Sequence, residues 1–257
     1  MIQCENIHFS YDLPPILKGI SLTFSDEQLH VVLGPNGSGK STLLHLITRL
    51  EKPTDGNLLI DQKNANSFTQ KNYAKRIAFV PQSANFSFDF TVFDVVLMGR
   101  YTHKRRFEKL RIEDYELAQQ AMEQMHLLPF QNRLITQLSG GEWQRVLIAR
   151  ALCQNTKHVL LDEPIANLDL QHQLEVLQHL KKIAHSSGRC VVVVLHSLPL
   201  AFHYADTVTL IQNGEVIATG APVEVLTKNN ILHCFNVNAQ IERLENGAYE
   251  LVPVYPL

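Results

Sequence analysis

Two stretches of the chain carry residue types that hold phosphate. The first, Gly34-Pro35-Asn36-Gly37-Ser38-Gly39-Lys40-Ser41 followed by Thr42, fits G-x-x-x-x-G-K-[ST]. Its glycines let backbone N–H groups close around phosphates, the Lys40 ammonium neutralises their charge, and the Ser41 hydroxyl can ligate magnesium. The second, Leu138-Ser139-Gly140-Gly141-Glu142, has the S-x-x-E spacing of a capping box. A helix is expected to begin there, its free N–H groups open to an anion. The first loop alone says nucleotide; the second adds a separate phosphate-facing turn.

Other candidates sit where apolar runs end. Asp162 and Glu163 follow Val159-Leu160-Leu161, at the end of a strand where open sheets bind ligands. Asp162 would hold magnesium directly or through water, and Glu163 would orient or deprotonate an attacking water, a role worth on the order of 10²- to 10⁴-fold in rate. His196 follows the run 191–195 in the same manner and can meet a γ-phosphate or the water. Gln82, after 77–80 and Pro81, offers a neutral oxygen to magnesium, or else is a solvated loop glutamine. Tyr11 can stack on a base, an interaction of about 1–3 kcal/mol, or close a strand in the core.

The elements that position these groups can be read from apolar spacing. Ile7, Phe9, Ile20, Leu22 and Phe24 nearly alternate, which predicts strands up to about residue 33 with a turn at Pro14-Pro15. Val31-Val32-Leu33 leads into the glycine-rich loop, and Leu43, Leu44, Leu46, Ile47 and Leu50 then mark one helical face. The runs 77–80, 159–161 and 191–195 suit buried strands, so the architecture is α/β: a parallel sheet flanked by helices. Residues 83–155 read as helices, clearest from Glu113 to Met125, and form a helical subdomain that interrupts the sheet. The chain is then one domain, with a core of residues 1–82 and 156–235, the insert 83–155 and an extension 236–257. Asn213-Gly214 between apolar runs signals a hairpin, and the tail after Asn236 a small strand pair.

Composition narrows the setting. The 257 residues are 45% hydrophobic and 19% charged, ordinary for a globular protein of one or two domains. A formal net charge of -2 gives no global attraction to nucleic acid. The triplet Lys104-Arg105-Arg106 reads as a solvated basic face. Cys4, Cys153, Cys190 and Cys234 lack metal-ligand spacing, and free buried thiols are expected. Met1-Ile2-Gln3-Cys4-Glu5 carries no signal-peptide pattern, which favours a reducing cytosol. The longest aliphatic run, 191–195, is too short to cross a bilayer, so membrane association is expected through a partner.

Taken together, these residues resemble the ATP-binding subunit of an ABC transporter, along essentially the whole chain and in the expected order. The resemblance implies a P-loop NTPase core with a parallel sheet, an N-terminal antiparallel β region and an inserted helical subdomain. It makes Tyr11 the adenine-stacking residue, residues 34–42 the Walker A loop and Gln82 the Q-loop glutamine. Leu138 to Glu142 becomes the signature motif, Val159 to Asp162 the Walker B strand and Glu163 the catalytic glutamate. Ala166-Asn167-Leu168-Asp169 becomes the D-loop and His196 the switch histidine. Two positions depart from the family: Ser197 stands where Asp is common, and Ile165 where Thr or Ser is common. Neither removes a phosphate ligand, so hydrolysis is expected, and the coupling geometry stays open.

The resemblance also implies partners. Mg²⁺ accompanies ATP as substrate, and the signature loop serves the nucleotide of another copy, so two chains dimerise around two ATP molecules. The stretch from Thr91 to His103 is similar to importers of ferric siderophores, haem and cobalamin. It is expected to help receive the coupling helix of an integral membrane permease, with a generic amphipathic helix as the alternative. An extracytoplasmic substrate-binding protein would act indirectly, no nucleic acid is implied, and the location is peripheral, at the cytoplasmic face of a bacterial cell membrane. An exporter subunit and a soluble ABC ATPase of translation or DNA repair remain alternatives. A small-molecule kinase would have no use for residues 138–142.

Overall fold

The computed structural model describes residues 1–82, 89–105, 107–166, 168–243 and 249–256. The expected subdomain boundary at Ser83, Arg106 of the basic triplet and Asn167 of the 166–169 stretch lie outside the described residues. Strands β1 (Ile2–Phe9), β2 (Leu17–Phe24) and β3 (Leu29–Leu33) precede helix α1 (Lys40–Ile47), then β4 (Asp55–Ile60) and β5 (Lys63–Asn64). Next come α2 (Gln70–Ala74), β6 (Ile77–Val80), α3 (Val92–Leu97), α4 (Ile112–Gln124), α5 (Gly140–Cys153), β7 (His158–Asp162) and α6 (Leu170–Ser186). The last part holds β8 (Cys190–Val194), α7 (Leu198–Tyr204), β9 (Thr207–Gln212), β10 (Glu215–Gly220), α8 (Pro222–Val225), α9 (Lys228–Phe235), β11 (Val237–Arg243) and β12 (Tyr249–Pro256). Two compact units result: Met1–Ser67 with Lys181–Leu257, and Phe68–Leu180.

In the first unit, β2, β1, β4 and β5 form an antiparallel sheet in that order. On β2, Leu17, Ile20, Leu22 and Phe24 are buried while Lys18, Ser21 and Thr23 are exposed, as a one-sided sheet requires. The strands β10, β9, β3 and β8 form the second sheet of this unit, with β3 parallel to both β8 and β9. Every residue of β3 and β8 is buried, which is why both read as unbroken apolar runs instead of alternating ones. The β9–β10 turn has Asn213 at φ 50° and Gly214 at φ 80°, the pair of positive angles that a two-residue hairpin demands. A Cβ on Gly214 would lie 2.1 Å from the Ile16 carbonyl oxygen, so glycine is required twice over. The expected C-terminal strand pair is the β11–β12 hairpin.

In the second unit, β6 runs parallel to β7, and α3, α4 and α5 pack on one another. Helix α4 coincides with the expected Glu113–Met125 helix to within a residue at each end, and directs Ala118, Ala121 and Met122 inward. The first turn of α3 is tied to the segment between α4 and α5. Val92 N–H donates to the Arg133 carbonyl at 3.0 Å, and Phe93 N–H to the Gln131 carbonyl at 3.1 Å.

In the basic triplet Arg105 is exposed, as expected of a solvated face, whereas Lys104 departs from expectation. The Lys104 side chain is 8% exposed and pairs with Asp114, whose side chain is 4% exposed. Arg100 Nε donates to the same carboxylate at 3.0 Å, while its Nη1 reaches the Cys153 carbonyl at the end of α5. Lys104 is thus an internal counter-ion, since the buried Asp114 in the first turn of α4 is paired with both Arg100 and Lys104. Burial alone would raise the Asp114 carboxyl. Hydrogen bonds from Lys104, the Arg111 N–H and Arg100 outweigh it and hold the group at about 2, against an ordinary 3.8. A depressed carboxyl contributes stability above the unfolded value and loses it as pH falls through the folded one. Asp114→Asn is therefore expected to cost about 3–5 kcal/mol in urea unfolding at neutral pH, and to flatten the loss of stability between about pH 4 and pH 2.

All four cysteines are buried and free, as the spacing predicts. Burial pushes the Cys4 and Cys153 thiols up to about 12, so neither is a reactive thiolate. Among the described residues, no helix is long and apolar enough to cross a membrane.

Candidate functional site

The loop between β3 and α1 belongs wholly to the first unit. Strand β3 delivers Gly34, which meets the β9 end so closely that a Cβ would lie 2.0 Å from the Ile211 carbonyl oxygen. The loop then turns, Ser38 N–H donating to the Pro35 carbonyl at 3.2 Å, and leans on the hairpin turn through Gly214 N–H to the Ser38 carbonyl. Gly39 caps α1 in the left-handed region, Lys40 opens the helix, and Ser41 and Thr42 lie half-buried in its first turn. Asn36 and Gly37 form the exposed crest, with Pro35 half-buried beside them. Lys40 Nζ donates to the Gly34 and Pro35 carbonyls at 2.9 Å each, which folds the ammonium back over its own loop. Ser38 Oγ is buried with no hydrogen-bond partner among the described residues. A buried orphan hydroxyl beside a folded-back ammonium and the N-terminus of a helix suits an anionic guest. Gly34→Ala is expected to destabilise the chain by about 1–3 kcal/mol through overpacking; parallel melting and nucleotide-binding curves would check it.

His196 follows β8. Since Val32 of β3 pairs in register with Val194 of β8, and Leu195 N–H donates to the Val32 carbonyl, Gly34 and His196 emerge at the same sheet edge. His196 is exposed there, and Ser197 after it caps α7, its Oγ accepting from Leu200 N–H at 3.4 Å. The departure from aspartate at this position thus keeps a helix-capping oxygen. Tyr11 is 59% exposed, which removes the buried-core reading. Its ring stands edge-on to Phe9 at 4.8 Å, and its hydroxyl donates to Glu51 at 3.0 Å, a contact that raises the phenol's pKa. One face of an exposed, anchored ring remains suited to stacking on a base.

The second unit brings Gln82, Asp162 and Glu163 together. Val80 pairs with Leu161 across parallel β6 and β7, so these residues follow the carboxyl ends of adjacent strands. Gln82 Nε2 donates to Glu163 Oε2 at 2.7 Å. Asp162 is 3% exposed at the end of β7, and Glu163 is half-buried with φ 49°. A non-glycine residue in the left-handed region costs on the order of 1–3 kcal/mol and persists only where its surroundings hold it. Pro164 and Ile165 are buried immediately after it; Ile165, in place of the expected hydroxyl residue, is a packing residue here.

Residues 138–142 form the predicted capping box at the start of α5. Ser139 Oγ accepts from Glu142 N–H, and Glu142 Oε2 accepts from Ser139 N–H at 2.8 Å. That second bond is the main reason the Glu142 carboxyl sits below its usual range. Ser139 and Gly140 are exposed, and beyond its own helical turn a Cβ built on Gly140 would meet no atom of the described residues within 4 Å. The fold itself therefore places no steric demand for glycine at 140. Trp143 follows, half-buried.

Three partners escaped the sequence reading. Glu51 anchors Tyr11. Arg133 Nη1 reaches Glu142 Oε1 at 3.5 Å and lies over the Phe130 ring at 5.0 Å. His172 binds Asp169, whose exposed side chain accepts its ring Nδ1 at 2.7 Å and its N–H at 2.9 Å. Only the last was readable in advance, from the D-x-x-H spacing at the start of a helix.

Residues 17–166 match the ABC transporter family. Over 226 residues the chain is 41% identical to the cobalamin import ATP-binding protein BtuD of Halobacterium salinarum, covering 88% of this chain. It spans only 56% of that relative's length. It is 35% identical to the hemin import ATP-binding protein HmuV of Shewanella denitrificans, over 98% of this chain and 100% of that one. A structure described as an inward-facing conformation of a metal-chelate type ABC transporter superposes with a TM-score of 0.85 at 32% identity, covering 99% of this chain and 97% of that one. A dimeric ATP-binding cassette in a post-hydrolysis state, bound to ADP and Pi, superposes with a TM-score of 0.77 at 30% identity over 86% of this chain and 99% of its own. With a family match over more than half its length and full-length relatives at these identities, the chain belongs to the ABC transporter family.

Proposed function

We propose that this chain is the ATP-binding and ATP-hydrolysing subunit of an importer, and that two copies close head to tail around two ATP molecules to drive uptake of a metal chelate. One observation carries the reading: the helix start at Ser139 and Gly140 is exposed and sterically empty, although the chain has a separate phosphate-type loop at Lys40. An anion-binding helix start that its own fold leaves uncovered suits a phosphate presented by a second copy. The dimeric cassette bound to ADP and Pi supports this arrangement.

In this reading Lys40 leaves the Gly34 and Pro35 carbonyls for the β- and γ-phosphates, the loop N–H groups and Ser38 bind phosphate oxygens, and Tyr11 stacks on adenine. Ser41, Gln82 and Asp162 offer a hydroxyl, an amide oxygen and a carboxylate, all of them hard oxygen donors of the kind magnesium takes. When bound, Mg²⁺ screens the phosphate charge. Glu163, held by Gln82, accepts a proton from the water that attacks the γ-phosphorus; the bond to the bridging oxygen breaks, and ADP and phosphate form. His196, after β8, steadies the γ-phosphate. The signature residues of the partner then lose their anion, and the two copies separate.

Residues 91–103 would receive a permease segment, which would keep the subunit peripheral at the cytoplasmic face, with an extracytoplasmic binding protein delivering cargo. The cobalamin and hemin relatives and the metal-chelate type structure support a chelate, whether cobalamin, haem or a ferric siderophore. Specific ATPase activity of the purified chain should rise with protein concentration until dimers saturate. Activity per chain that is independent of dilution, or a phosphorylated acceptor in place of free phosphate, would overturn the reading. Co-reconstitution with the permease in lipid vesicles should then show which chelate stimulates hydrolysis.

A further inference from the structure

The described residues between Glu163 and α6 are held by short-range backbone bonds and by the helix that follows. Ala166 N–H donates to the Glu163 carbonyl at 3.3 Å, and Leu168 N–H to the Ile165 carbonyl at 3.2 Å. The first turn of α6 then reaches back twice. Gln173 Nε2 donates to the Leu168 carbonyl at 2.9 Å, and His172 gives both its N–H and its ring Nδ1 to Asp169 Oδ1.

The backbone bond alone would cap the helix. The ring bond adds a second donor to the same oxygen, and thereby fixes the rotation of a carboxylate whose side chain is 67% exposed. Core packing has no need of such a fixed, outward-facing group. The His172 N–H, then its ring, hold the Asp169 carboxyl below its usual range, so the group stays an anion.

We propose that His172 and Gln173 are positioning residues: together they clamp Leu168 and Asp169 at the entry to α6, and present the Asp169 carboxylate in one orientation to the second copy. The proposal rests on the two-copy reading above. His172 must carry its proton on Nδ1 to donate, so the donor, and not the ring's bulk, is the working part.

The test uses the full chain in two backgrounds. In the native background, His172→Phe and Gln173→Glu are expected to lower kcat on the order of tenfold, as loss of one or two such bonds does, with KM for ATP unchanged. His172→Asn, whose amide can donate from nearly the same place, should restore kcat to within about twofold. In a Glu163→Gln background, the first two should reduce the ATP-dependent dimer seen by sedimentation, and His172→Asn should return it. Native kcat and dimer in His172→Phe, or failure of His172→Asn to rescue, overturns the clamp. Gln173→Glu, at a half-buried site, carries the same test if the phenylalanine variant does not fold. Absence of any ATP-dependent dimer in Glu163→Gln itself overturns the two-copy reading, and the clamp with it.

Discussion

Replacing Glu163 by glutamine is expected to lower kcat by about 10²- to 10⁴-fold, the range for loss of a positioned general base, while ATP binding stays largely intact. The substitution is nearly isosteric, and an amide oxygen can still accept the bond that Gln82 Nε2 now gives to Glu163 Oε2 at 2.7 Å. What disappears is the capacity to take a proton. The phosphate-type loop is built from β3, α1 and the β9–β10 turn, segments that do not include position 163. ATP should therefore still bring two copies together, and with cleavage blocked the dimer should accumulate. Sedimentation with and without magnesium ATP, beside a phosphate-release assay, reads both effects. Turnover at the native rate would remove Glu163 from its assigned role.

Replacing Ser139 by arginine should abolish hydrolysis by a different route. The arginine removes the oxygen that caps α5, a local cost of about 1 kcal/mol, and sets a long cation over the open space at Gly140. The affinity of the single chain for ATP should be unchanged, because in the proposed arrangement this loop serves the other copy's nucleotide. Ser139→Asp separates the two causes: aspartate still caps a helix well, yet its charge would repel an incoming phosphate. Loss of activity in both variants with intact ATP binding supports the interface reading. Loss of ATP binding itself would mean that the loop closes on its own chain's nucleotide.

What could be read in the sequence was what is local. The phosphate-type loop occupies consecutive residues between a buried strand and an amphipathic helix, and the Ser139–Glu142 box closes within one helical turn, so residue order and geometry coincide. A second box of the same kind, Thr91 with Asp94 at the start of α3, has equal geometry and went unread because no phosphate motif drew attention to it. The contacts that hold the site were not readable, because they join residues far apart in the chain. Tyr11 and Glu51 are 40 positions apart, Gln82 and Glu163 81, and Arg100 and the Cys153 carbonyl 53. Lys104 was misread for the same reason. Three consecutive basic residues look solvated until Asp114, brought beside the first of them by the start of α4, claims its ammonium.

The φ of 49° at Glu163 has a consequence for how this chain can change. Glycine adopts that angle without steric cost, so Glu163→Gly would ease the backbone while removing the carboxylate. Selection for thermal robustness alone, in a laboratory library for example, would favour that exchange and enrich folded but inactive proteins. The position is therefore one where stability and activity pull in opposite directions, and a stabilised variant of this chain should be designed with Glu163 held fixed.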